Sequence, residues 1–444
     1  MRKFILYLVF FIETFIKRHL TQIGLSIVIG FFATLFIFQV YPLFQALIVR
    51  RHENIGIVGN FDRNNLPSTI LNKISFGLTT LSSDGLASPA AALNWDIVNN
   101  VNYTFYLKPN LYWHDGSKFK AGDVHYKIRD SKINAADNYT LKIELKEPFS
   151  PLTVYLSEPL LKDDFIGLGS YKILRVNYGS DNKINQITLL PFDKKLSTIT
   201  YKFYNDFDDA LLGFKLGEVE KLENIENRDS FSDWRNLNIE DKTDYSRIVT
   251  LFYNFKDSRL KEKEVRQALA YAIPPFSEYD KAVSPISPFS WAYSQKLRLY
   301  KYDPESAQKI LIKSPLASAS SELVLTTPPS LMKSAQKIVD AWNNIGIKSR
   351  VKVDSTIPDD YQVLITNMPI PSDPDQYLYW QSTQENTNIS HYSSPKIDKL
   401  LEDGRKTQDL IQRKKSYADF QFYLVDDAPA IFLYYPKLYT VTRK

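Results

Sequence analysis

YTFYLKPNLYWHDGSKFKAGDVHYKI, residues 103–128, is the stretch whose reading decides the fold. Together with Val101, its first part puts Tyr103, Phe105 and Leu107 on one side of an extended chain, the period-two signature of a half-buried strand. Its second part brings His114, Asp115, Asp123 and His125 close in sequence, which suggests metal ligands or a His–Asp pair. Geometry speaks against both. Adjacent residues in an extended chain, such as His114 and Asp115, leave opposite faces. Asp123 and His125 read as the start of a helix and, two positions apart, lie about 200° around it. Trp113, Asp115 and Gly116 read instead as a strand-exit turn, and Asp123 as an acid where the helix dipole favours it.

Composition sets the bounds. A chain of 444 residues suggests two or three domains. With 44% hydrophobic and 24% charged residues it can bury a real core. The 28 Tyr and 27 Phe suit wide sheets and clefts for amphipathic ligands. There is no cysteine, which excludes disulfides, zinc–thiolate sites, a cysteine nucleophile and a lipidated N-terminal cysteine. Six cations against Glu13 within residues 1–51 account for the whole formal charge of +5. The remaining 393 residues are neutral, so the body carries no electrostatic footprint for nucleic acid.

Leu20 to Val49 contains no charged residue, long enough to cross a hydrocarbon core of roughly 30 Å as a helix. Arg2, Lys3, Lys17 and Arg18 precede it and only Arg50 and Arg51 follow, which places the N-terminus inside and the body outside the cytoplasm. The segment ends in QALIVRR without an A-x-A pattern, which favours an uncleaved anchor over a signal peptide. The earlier run FILYLVFFIETFI is interrupted by Glu13 and reads as an interfacial helix, with a second span as the alternative.

Beyond Arg51 the chain alternates strands and helices. NIGIVGN (54–60), YKILRV, QITLL, TITYKF and IVTLFYNF read as strands, and 208–220 as a helix leaving at Gly217. RLKEKEVRQALAYAI (259–273) reads as a helix stopped by Pro274 and Pro275. Asp303 reads as an N-cap with Pro304 at the first helical position. ELVLTT, a helix from Ser330 to Asn344 closed by Gly346, and IKSRVKV form a strand–helix–strand unit, followed by DYQVLITNM, two helices near 395–404 and 408–427, and AIFLYY. Such units predict a mostly parallel sheet. Two lobes are expected, joined by crossings near Leu251–Phe255 and Ala430–Tyr435 that act as a hinge around a ligand.

No G-x-S-x-G elbow, phosphate-binding loop, GxGxxG or HExxH motif occurs, and GLGSYK (167–172) has its serine in the wrong place for a nucleophile. The segments do, in order, resemble the family 5 extracellular solute-binding proteins, the oligopeptide-, dipeptide- and nickel-binding receptors of ABC importers. The resemblance runs from about Ile55 to Tyr435 and is carried by FGLTTLSSDGLASPAAALNWDI (76–97), residues 103–124, GLGSYKI (167–173) and LGEVE (216–220). VRQALAYAI (265–273), YDPESAQKIL (302–311) and YSSPKIDKLL…APAIFLYY (392–435) complete the series.

The resemblance implies an α/β, bilobal periplasmic-binding-protein-like fold of the large peptide-binding class, without catalysis, and the residues themselves carry no pattern for a cofactor or a metal. The charge and hydropathy pattern makes residues 1–20 a cytoplasmic or interfacial N-terminal segment and 21–49 the transmembrane anchor, and the resemblance implies 54–253 with 430–444 as the first lobe and 254–429 as the second. It implies a peptide or similar small solute held by Phe76, Leu78, Asn254, Asn367, Met368, Ile370, Ser372 and Asp373, and ABC permease subunits as partners. The N-terminal helix would replace the family's lipid tether at the membrane. In peptide-binding members an Asp three residues before a D-P or E-P pair holds the ligand's α-amino group; here the pair is Asp373–Pro374 and that position is Ile370. The family's preceding Trp is Asn367. Lys120 replaces a helix-capping Thr, and the region after Ile128 is shorter than the family's helical insert. A descendant that keeps the fold as an interaction module is the second reading, and an enzyme the third.

Overall fold

The computed structural model describes residues 8, 10, 11, 13–22, 25, 26, 29–36, 51–179, 181–316 and 322–444. The body starts with β1 (His52–Val58), α1 (Ser68–Ile74), β2 (Thr79–Leu81), β3 (Ala87–Pro89), β4 (Ala92–Val98) and β5 (Asn102–Leu107). Next come β6 (Ser131–Ala135), β7 (Thr140–Leu145), α2 (Leu152–Tyr155), β8 (Tyr171–Tyr178), β9 (Ile184–Pro191) and β10 (Thr198–Tyr204). They lead to α3 (Phe207–Leu216), β11 (Lys221–Ile225), β12 (Leu237–Thr243), β13 (Arg247–Tyr253), α4 (Lys263–Tyr271), β14 (Asp280–Lys281) and α5 (Pro304–Leu311). The chain ends with β15 (Leu323–Thr327), α6 (Met332–Asn344), β16 (Ser349–Val353), β17 (Val363–Pro369), α7 (Tyr377–Trp380), α8 (Pro395–Lys406), α9 (Leu410–Asp427), β18 (Ala430–Tyr435) and β19 (Lys437–Arg443).

The strand-rich lobe holds a seven-stranded sheet, β12-β19-β11-β1-β10-β9-β8, and an antiparallel four-stranded sheet, β4-β5-β7-β6. The quoted stretch builds the second of these. Tyr103, Phe105 and Leu107 are buried with Trp113 and Phe119 in one core, as their alternation requires. Past Phe119 the chain forms a single 3-10 turn, Ala121–Asp123, in place of the expected helix. Asp123 Oδ2 accepts the Trp113 indole N–H at 3.1 Å and the Lys120 N–H at 2.9 Å, so it staples the turn back to the strand exit. The turn ends at Val124, whose backbone is extended, and the chain then runs on into β6.

The α/β lobe is a six-stranded sheet, β14-β18-β13-β17-β15-β16. It is mixed rather than mostly parallel: only β15 pairs parallel, with β16 and β17, while β13 runs antiparallel to β17 and β18. Alternate residues serve two cores. Val249, Leu251, Ile431 and Leu433 face α4, α5 and α6, and Ile248, Phe252, Ala430 and Phe432 face α8 and α9.

This burial on both faces moves the expected hinge. IVTLFY (248–253) and AIFLYY (430–435) are buried without a break because they are central strands of the six-stranded sheet. The chain crosses at 244–246 and at Pro436, and Asp244 N–H donates to Pro436 O at 2.8 Å. Residues 430–435 therefore pair in the second lobe, and of the C-terminal segment only β19 joins the first.

Before Arg51 the described residues from 8 to 36 are helical, with Phe10, Phe11, Leu20, Leu25, Ile29, Phe31, Phe32 and Phe36 exposed. Among the described residues no helix is long and apolar enough to cross a membrane. Much of the expected anchor, including 23–24, 27–28 and 37–49, lies outside the described residues, as do parts of the 4–16 run.

Candidate functional site

Besides the Lys333–Asp229 and Arg247–Glu226 ion pairs, the lobes meet along two seams. At the first, the β2–β3 turn reaches the second lobe. Ser82 Oγ and the Leu86 N–H both bond Asp84 Oδ1, which frees the Asp84 carbonyl to accept the Trp291 N–H at 3.0 Å. Gly85 sits at φ +86°, and a Cβ there would come within 3.2 Å of the Ser372 carbonyl, so the turn approaches the second lobe as only glycine can. At the second seam, Ser150 N–H donates to Arg405 O at 2.7 Å and its hydroxyl to Gly404 O at 3.2 Å. The C-terminus of α8 is thus capped by a residue of the other lobe, which answers carbonyls that helix geometry leaves unpaired. Beside it Gln408 Nε2 donates to the Tyr103 hydroxyl at 2.6 Å, and that hydroxyl donates to Phe149 O at 3.1 Å.

Two arginine–aspartate pairs line this junction. Arg413 Nη2 donates to both Asp373 oxygens at 2.8 and 3.0 Å, and its Nε to Gly404 O at 3.0 Å. Both side chains are only 7% exposed. Burial works against the Arg413 charge, and the Asp373 carboxylate beside it holds its pKa above the ordinary value. Arg405 Nη2 pairs with Asp375 at 3.0 Å, and its guanidinium lies 4.0 Å from the Tyr377 ring centre and 5.1 Å from that of Phe149. Burial pushes the Asp375 carboxyl up, and Arg405 opposes the shift. A buried pair of this kind resists losing one partner far more than it adds to stability as a whole.

Next to the second seam a cavity of about 620 Å³ opens between the lobes. Residues 127–130, 145–149 and Tyr155 wall it from the strand-rich side, and Tyr377, Glu402, Arg405 and Lys406 from the other. Its first wall is the segment that replaces the expected helix. Among the described residues six side-chain atoms are buried without a hydrogen-bond partner, Arg405 Nε, Trp291 Nε1, Tyr417 Oη, Gln376 Oε1, Asn367 Oδ1 and Trp380 Nε1, and of these residues only Arg405 walls the cavity.

The eight residues expected to hold a ligand do not form one cluster, and none lines this cavity. Leu78 is fully buried in the core of the four-stranded sheet and Phe76 packs on that core. Asn254 is consumed by its own loop, with Nδ2 on Tyr361 O at 2.6 Å and Oδ1 on Lys256 N–H at 2.9 Å. It lies at the other end of β13 from the strand pair Val249–Asn367. Met368 is core, Ile370 packs on that core with its N–H on Ser246 O at 2.7 Å, and Ser372 is exposed. Asp373 is locked to Arg413, so its carboxylate is not free to take an ammonium. Ser372 stands at the first seam, where its carbonyl faces Gly85, and Asp373 follows it in the chain. Arg405, Arg413, Trp291 and Ser150 carry no sequence motif; Arg413 sits in QRKKSY, which reads as a solvated charge run. Among the described residues no group of three His, Asp or Glu side chains is placed to hold a metal. His114 instead bonds the backbone of the 167–169 loop.

Known proteins share this architecture. The family model for bacterial extracellular solute-binding proteins, family 5 Middle, matches residues 87–388. The glutathione-binding protein GsiB of Pectobacterium atrosepticum is 24% identical over 86% of this chain and 87% of its own. The dipeptide-binding protein of Escherichia coli is 22% identical, with 80% and 82% covered. Among solved structures, NikZ from Campylobacter jejuni in complex with Ni(L-His) superposes with a TM-score of 0.73 at 23% identity, covering 89% of this chain and 95% of that one. CtaP from Listeria monocytogenes gives 0.75 at 22% identity, with 89% and 94% covered.

Proposed function

The chain belongs to the family 5 bacterial extracellular solute-binding proteins, and on that premise we propose that it takes a peptide or similar extended solute between its lobes and presents it to the permease of an ABC importer. The observation that carries this reading is the cavity of about 620 Å³ walled by both lobes, a volume within the range of small-ligand sites. Phe149, Tyr155 and Tyr377 offer aromatic walls. Arg405, which walls the cavity, has its Nε without a partner, a donor that a ligand backbone carbonyl would satisfy. We place the lobe division at the crossings, with 52–243 and 437–444 in the first lobe and 247–435 in the second. The uncharged run from Leu20 to Val49 is read as an anchor that holds the body outside the cytoplasm at the cell membrane. The reading is that of a receptor, not an enzyme.

Native mass spectrometry of the gently purified full chain tests the receptor role: a mass above that of the bare chain, identified as a peptide or comparable solute, is expected. A bare mass together with no thermal shift across a peptide library would defeat it. One observation favours the second reading, an interaction module descended from such receptors. The position of the amine anchor is the apolar Ile370, and Asp373 and Asp375 are already paired with Arg413 and Arg405. A solute with a free ammonium would find no unpaired carboxylate there.

A further inference from the structure

The junction between anchor and body has almost no slack. The uncharged run ends at Val49, and only Arg50 and Arg51 separate it from β1. The Arg51 carbonyl already accepts the Thr198 N–H at 2.8 Å, and His52 pairs with Thr198 in the parallel ladder. Even fully extended, three residues span roughly 10 Å. The end of the seven-stranded sheet at which β1 enters therefore stands within about that distance of the apolar run.

At this end lies the β9–β10 loop, residues 192–197. Phe192 and Leu196 are 55% and 40% exposed. Lys194 and Lys195 lie exposed between them, and Lys172 approaches the Phe192 ring at 6.0 Å. The loop's one acid, Asp193, accepts the Lys195 N–H at 2.9 Å, and the Phe192 N–H is tied to Ser170 O at 3.0 Å. The loop is thus held in shape while two apolar side chains and a group of cations face outward. That pairing of apolar tips with lysines fits the boundary of an anionic bilayer, where apolar side chains enter the headgroup region and cations sit within a Debye length of the charged surface.

We propose that this loop, with Arg51 and Lys172, is a second membrane contact that seats the strand-rich lobe on an anionic phospholipid surface and fixes the direction in which the cleft faces. The proposal rests on the anchoring reading above.

The test uses the full chain reconstituted in vesicles of phosphatidylcholine alone or with phosphatidylglycerol. Because the chain has no cysteine, Leu196→Cys and Tyr178→Cys can each carry one environment-sensitive fluorophore. Tyr178 is 53% exposed and ends β8 at the opposite end of the sheet. In phosphatidylglycerol vesicles the probe at 196 should shift to the blue and be quenched by a lipid-borne quencher, and the probe at 178 should do neither. Adding Lys194→Glu and Lys195→Glu should remove the dependence on phosphatidylglycerol. Equal aqueous emission from both positions, in chain that stays with the vesicles through an alkaline carbonate wash, overturns the contact and leaves the anchor standing. Release by that wash overturns the anchor, and the contact with it.

Discussion

The His114 imidazole works as a two-ended clamp. Its Nδ1 accepts the Gly167 N–H at 3.2 Å, so the ring proton must sit on Nε2, which donates to Gly169 O at 3.0 Å. A protonated ring has no acceptor, and the Gly167 N–H would lose its partner. Burial accordingly holds the His114 pKa below its ordinary value, the nearby Lys172 charge adds to this, and the Gly169 carbonyl opposes it. The folded pKa lies below the unfolded one of about 6.5, so the clamp's contribution is present above that pH and is lost as pH falls through the folded value. Stability should therefore decline from about pH 6.5 downward, and His114→Gln should make that decline shallower. Urea midpoints of both proteins between roughly pH 7.5 and 5 check this; parallel curves would rule the clamp out. Nothing in the spelling W-H-D-G shows this role, because the partners are backbone groups some fifty residues away.

The same loop explains a motif at the scale of elements. Gly167 and Gly169 run against the last turn of α1, where a Cβ on either would strike the carbonyls of Ile74 or Lys73, and the Gly169 N–H caps Ile74 O at 2.8 Å. The G-x-G spelling is thus a close approach of backbone to helix end. Gly169→Ala should cost about 1–3 kcal/mol through overpacking, read as a lower denaturant midpoint with unchanged slope. A loss within error of zero would show that the loop moves away freely. Elements with strong local signals were legible in the sequence. Asp303 caps α5 through the Ser306 N–H at 3.0 Å, and Gly217 ends α3 in the left-handed conformation. The strand run 103–107 and the runs that became β13 and β18 were legible as strands too, but not their place. A doubly buried run does not say which sheet it enters, and both runs that read as crossings pair within the six-stranded sheet. The four-stranded sheet was only partly legible because β4 and β6 are mostly exposed and mixed in composition. The candidate site was least legible, since its seams join residues from opposite ends of the chain, such as Ser150 with Gly404 and Arg405.

Two crossings hydrogen-bonded to each other at Asp244 and Pro436 make a narrow pivot, and contacts between lobes joined in this way set how closed the molecule is. The first seam adds one backbone bond, from Trp291 to Asp84. The second adds the Ser150 cap, the Gln408–Tyr103 bond and the Arg405 guanidinium lodged between Tyr377 of its own lobe and Phe149 of the other. Arg405 is the only one of these groups that is also tied by charge within its lobe and walls the cavity. Removing it alone would leave Asp375 buried without a counter-charge, at a cost of about 3–5 kcal/mol that would blur any effect on closure. Changing both partners avoids this. Arg405→Met with Asp375→Asn keeps comparable volume and removes the pair, so the lobes should stay folded while the second seam loses its aromatic–guanidinium contact. The ligand-free double variant should then show a larger radius of gyration by small-angle scattering than the parent chain, with a thermal midpoint within a few degrees of it. A solute that bridges the lobes should bring the two scattering curves back together, because it supplies differential contacts to the closed form. Superimposable curves without ligand would mean that the contacts left in place, the Trp291–Asp84 and Gln408–Tyr103 bonds, the Ser150 cap, the Lys333–Asp229 pair and the pivot, hold the lobes shut without Arg405.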